Sequence, residues 1–126
     1  LKLIGSNVTL VPEWIWIAMA FAWFFDRYGA LHLQFYSITN DIIWHIANGI
    51  TGIIFIGLSF VFASILDMGI LSFPIALIIS DLTFFCWYSA RKSYKYFNLD
   101  FPGFEYRTTF YPFLLLVVYM FFRFMV

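Results

Sequence analysis

Asp81 stands near the middle of an apolar run, 69–90, in a chain of 126 residues that is 63% hydrophobic and 25% aromatic. A carboxylate in hydrocarbon is costly unless it is protonated, paired or turned toward a polar interior. Its chemistry would be proton relay, a substrate path, or an interhelical or intersubunit hydrogen bond, the last being a common use of polar side chains between membrane helices. On a regular helix Asp81 shares its face with Leu77, Ile78, Phe85 and Tyr88, so Tyr88 or a basic group of another subunit is the expected partner. Asp41 and His45, four apart, also share a helix face, and His32 lies a short loop away with Asp26 one or two turns from it. Carboxylate and imidazole at this spacing suit a copper, zinc or iron ion, or proton transfer. The competing reading is structural: Asp41, following Thr39 and Asn40, marks a helix N-terminus, and His32 and His45 find ordinary hydrogen bonds.

The stretch His45-Ile46-Ala47-Asn48-Gly49-Ile50 is similar to the residues around the haem-ligating histidine in the cytochrome b anchor subunits of succinate dehydrogenase, which are also short helical membrane chains. The resemblance covers this stretch alone, without the Arg and His that follow it in that family. It implies an axial-ligand role for His45. No catalytic constellation accompanies it. Cys86, the single cysteine, has no nearby histidine to activate it, and there is no Gly-Xaa-Ser-Xaa-Gly elbow or phosphate-cradling glycine loop. Activity of the isolated chain is therefore not expected.

The elements that must position these groups are helices in lipid. Mean hydropathy is +0.89, and 11% of residues are charged where soluble domains carry about a quarter. So few polar side chains cannot cover a soluble domain of this size. Net charge is zero and no basic run is present, which argues against nucleic acid as a partner. At about 20 residues per crossing, the pattern predicts an all-α, polytopic integral membrane bundle, a single domain 1–126 with four transmembrane helices over 12–33, 42–66, 69–90 and 109–126. Pro12 suits a helix start, Thr39 or Asn40 suits a cap for the second helix, and Asp67 with Met68 leaves room only for a tight antiparallel hairpin. Segment 92–108 reads as an interfacial aromatic loop with a turn at Phe101-Pro102-Gly103, and Arg123 as a snorkelling cation at the end of the fourth helix. Arg27, Arg91, Lys92, Lys95 and Arg107 fall on one side, Lys2 and Arg123 on the other. That places loops 26–41 and 91–107 on the cytoplasmic side and both termini outside.

Two stripes of small and polar residues complete the pattern: His45, Asn48, Gly49, Gly52, Ser59 and Ala63 on the second helix, and Ser72, Ala76, Ser80 and Thr83 on the third. Small residues let helix backbones approach, so Gly49, Gly52, Ser59, Ala63, Ser72, Ala76 and Ser80 are expected packing positions, with Asn48 and Asp81 as intramembrane polar contacts. The expected function is a small non-catalytic subunit of a larger membrane complex, an oxidoreductase such as a respiratory enzyme or membrane monooxygenase foremost. Its partners would be other integral membrane subunits and lipid. Two alternatives stay open: a haem- or metal-binding anchor using His45 with Asp41 and His32, haem or copper being the cofactor, and a homo-oligomeric transporter or channel with Asp81 in its pathway.

Overall fold

The computed structural model describes residues 11–125; Lys2 and Val126, which entered the charge count and the fourth expected span, lie outside them. Every regular element among the described residues is helical: α1 Glu13–Ser37, α2 Trp44–Ser64, α3 Ser72–Ser80, α4 Cys86–Phe97, α5 Phe101–Thr108 and α6 Phe110–Met125. A 3-10 turn at Gly69–Leu71 and a π turn at Asp81–Phe85 join with α3 and α4 into one continuous helix, Gly69–Phe97. Among the described residues two helices are long and apolar enough to cross a membrane, α2 and Gly69–Phe97. At 25 residues α1 has the length, but it carries Glu13, Asp26 and Arg27. α6, at 16 residues, reaches only about 24 Å.

The chain runs up, down, up and down. Cys86 Sγ donates to Phe25 O at 3.2 Å and Ser93 Oγ to His32 O at 2.7 Å. Both partners advance together along the two pairs, so α1 and α4 are parallel. α2 returns between them through the 65–68 turn, where Asp67 and Gly69 take positive φ and Met68 N donates to Phe62 O. α6 runs back along α1: Phe113 packs against Phe21, Phe24 and Phe25, and Arg123 pairs with Glu13 at the far end.

The segment expected as an aromatic surface loop, 92–108, is mostly helix. α4 continues to Phe97 and α5 begins at Phe101. Asn98, in the left-handed conformation, ends α4, as a residue tolerant of positive φ does after a last helical turn. Phe101-Pro102-Gly103 is the first turn of α5 rather than a β-turn. Asp100 caps it by accepting from Gly103 N at 3.2 Å, and Pro102 sits where a helix has no use for its N–H. The second helix begins later than expected. Neither Thr39 nor Asn40 caps it; Thr39 Oγ1 accepts from Asp41 N at 3.3 Å, Asp41 holds the Tyr36 hydroxyl at 2.8 Å, and Trp44 opens the helix.

The π turn decides what faces inward. In α3 one buried row is Ser72, Ala76 and Ser80, with Pro74 also buried; beyond it one buried row is Asp81, Phe85, Ser89 and Ser93, flanked by Cys86 and Ala90. Each series steps by four, and the second starts one residue after the first ends. A single turn with i→i+5 bonding inserts that extra residue. Ser80 and Asp81 are both buried as a result, whereas Thr83, expected to continue the interior stripe, is exposed. Hydroxyls satisfy carbonyls around the widened turn: Ser80 Oγ donates to Leu77 O at 2.9 Å, and Thr83 Oγ1 to Ile79 O and Ser80 O.

Candidate functional site

Asp81 lines a cavity of about 170 Å³ with Asp26, Asn48, Thr51, Gly52, Phe55, Leu77 and Phe85. Three elements build it. The π turn delivers Asp81 and Phe85, α2 delivers Asn48 and Thr51 four and seven residues after its first residue, and α1 delivers Asp26. α1 comes this close because of Gly29: a Cβ there would lie 2.3 Å from the Phe85 ring. Asp81 is 1% exposed, and among the described residues neither its Oδ2 nor the Thr51 hydroxyl has a hydrogen-bond partner. Tyr88 does not serve Asp81. Its ring stacks on Phe84 at 5.0 Å, with the Lys92 ammonium 5.7 Å above it. Asp26 is held by Arg27 at 2.5 Å.

A second carboxylate is clamped through one oxygen, Oε1, while its Oε2, like Asp81 Oδ2, has no hydrogen-bond partner among the described residues. Glu105, on α5, accepts from the Tyr28 hydroxyl at 2.7 Å, accepts from Tyr94, and faces His32 Nε2 at 3.3 Å. Burial pushes its carboxyl up, but the hydroxyls of Thr109, Tyr94 and Tyr28 and the His32 charge prevail and hold it below the ordinary 4.5. Donors from α1 and α4 thus clamp α5 to the bundle. This cluster was not anticipated from the sequence. Its only signal is one acid among aromatics, Phe104-Glu105-Tyr106, in a stretch that reads as interfacial.

The residues expected to hold a metal are not brought together. His32 turns to Glu105, Asp41 to Tyr36, and His45 is exposed in the first turn of α2. No group of three or more His, Cys, Asp and Glu among the described residues is placed to hold a metal ion. The two histidines do not face one site: His45 is exposed on α2, and His32 is buried against Glu105. Cys86 is buried, its thiol on the Phe25 carbonyl. By contrast Asp81 and Asn48, separately expected to make polar contacts, line one cavity. Of the packing residues, Ser72, Ala76, Ser80 and Ser59 are buried inside the chain. Ala63 is exposed, and a side chain at Gly49 or Gly52 would meet nothing within 4 Å among the described residues. Compared with family models, curated proteins and solved structures, the chain matches none.

Proposed function

We propose that this chain is a four-span membrane protein that serves as a small non-catalytic subunit of a larger membrane complex, presenting α2 to a partner helix. One observation carries this reading: α2 is long and apolar enough to cross a membrane yet is among the least covered helices, with Ile53 75%, Ile56 68% and Phe60 66% exposed. The core helix of a soluble protein would hide such residues, so α2 faces lipid or protein. On one flank it also shows Asn48, His45, Gly49 and Ala63, all exposed. An amide left open to hydrocarbon is costly, whereas small residues beside a polar one are what a second helix packs against. The matching stripe on α3 is already used inside the chain, which leaves the α2 flank for another protein.

The bundle fits a membrane with its 38–43 and 98–100 loops on the cytoplasmic side. Arg91, Lys92 and Lys95 lie on the last turns of α4, and Arg107 on α5, which is the positive-inside arrangement. Arg91 over Trp87 and Lys92 between Tyr36 and Tyr88 form the interfacial belt on that side. α6 is short for a crossing, and Arg123 at its end reaches the opposite interface. A groove of about 480 Å³ lined by Phe24, Phe25, Phe110 and Phe113 offers lipid a second contact.

The test is gentle detergent extraction followed by native gel analysis of wild type and of Gly49→Leu/Gly52→Leu. A Cβ at either glycine would meet nothing within 4 Å among the described residues, so both substitutions start from open space. The wild type should migrate with a fixed partner set and the variant alone, with equal helicity by circular dichroism. A wild type that migrates alone, or only as copies of itself, would refute the reading.

A further inference from the structure

We propose that the Asp81 cavity is a binding site for a small monovalent cation, with Asp81, Thr51, Asn48 and Asp26 as its oxygen donors. The donor set is carboxylate, hydroxyl and amide oxygen, with no imidazole or thiolate among the lining residues, which selects hard cations over copper, zinc or iron. Two of these groups are already committed to the cavity at a cost. Among the buried oxygens without a hydrogen-bond partner in the described residues, Asp81 Oδ2 and Thr51 Oγ1 belong to residues that line one cavity, and a buried polar atom of this kind calls for a partner. Charge sets the valence. Arg27 pairs with Asp26, so an ionised Asp81 would be the one uncompensated negative charge of the cavity, and one positive charge would balance it. The volume of about 170 Å³ admits an ion with a water or two at roughly 30 Å³ each.

The path to the site is short. Asn48 and Thr51 lie about 6 and 10 Å along α2 from its first residue, at a rise of about 1.5 Å per residue. Arg27, beside Asp26, is 57% exposed. The π turn supplies the remaining requirement, since without its extra residue Asp81 would not share the interior with Ser80. Asn48 and Gly52 border this cavity and also belong to the α2 flank offered to a partner, but the sodium response is read on the isolated chain and needs no partner there.

The full-length chain in detergent micelles or nanodiscs is heated in choline chloride and in sodium chloride at equal ionic strength, and its unfolding midpoint is followed by circular dichroism. Binding to the folded state raises the midpoint with sodium concentration. We expect that rise in the wild type and in Asp67→Asn, an acid in the 65–68 turn outside the cavity. Thr51→Val should need roughly tenfold more sodium for the same rise, as the loss of one neutral ligand predicts, and Asp81→Asn should lose the response. If Asp81→Asn does not fold, Thr51→Val decides. A wild type indifferent to sodium, an Asp81→Asn variant that responds like it, or stabilisation by calcium where sodium has no effect would each overturn the proposal.

Discussion

Two carboxylates sit inside this bundle, and only one of them is gripped by neighbouring donors. Glu105 is surrounded by two tyrosine hydroxyls and an imidazole. Asp81 is more deeply buried, and its Oδ2 has no hydrogen-bond partner among the described residues; Glu105 Oε2 has none either, so the contrast lies in the Glu105 oxygen that is clamped. A buried charge is stabilising only when neighbours replace the water it lost. The Glu105 cluster is therefore a structural clamp, and the Asp81 cavity is where the chain carries a cost that stability alone does not explain. Cost of this kind gathers at functional positions.

Substitutions can break that contrast. The largest effect is expected for Glu105→Ala, which removes the acceptor of the clamp and leaves Tyr28, Tyr94 and His32 without it. Stability in a denaturant titration should fall by about 3–4 kcal/mol, with α5 losing hydrogen-exchange protection first. An unchanged midpoint would remove the clamp from the comparison. Next comes Gly29→Ala. Its methyl meets Phe85 at 2.3 Å and must push α1 off α4, costing about 2–3 kcal/mol, and the sodium response should weaken with the displaced cavity.

Acid should weaken the clamp in sodium-free buffer. Because the folded-state value of Glu105 lies below 4.5, its contribution is complete above that pH and is lost as pH falls through 4.5 and below. Wild type should lose stability there and Glu105→Gln should not, as unfolding curves at stepped pH will show. The smallest effect is expected for Asp81→Asn in sodium-free buffer. No partner is lost, so stability should change by less than about 1 kcal/mol or rise. A loss as large as that of Glu105→Ala would mean that Asp81 has a structural partner after all.

How far the residues alone could lead is seen best at these two sites. Asp81 was conspicuous, because an acid inside a 69–90 apolar run needs no structure to be noticed. Its surroundings were misplaced: a regular helix assigns it Tyr88, and the π turn gives it Asp26, Asn48 and Thr51 instead. Glu105 was overlooked for the opposite reason. Acids among aromatics in a polar stretch are ordinary, and only the folding of 101–108 as a helix against α1 turns this one into a hub. Cap residues misled in the same way at α2, where Thr39 and Asn40 offered a local signal and the Tyr36–Asp41 and Ser37–Trp44 contacts moved the helix start to Trp44.

What the chain determined by itself is its helical, apolar character, the hairpin at 65–68 and the crowding of cations near one end. All of these follow from hydropathy, spacing and turn chemistry, which act within a few residues. What only the tertiary structure decided is which side chains share a space. A one-residue shift at the π turn rotates everything after it by about 100°, the angle of one residue at 3.6 per turn, and the energy that favours the shift comes from packing against α1 and α2, far away in sequence.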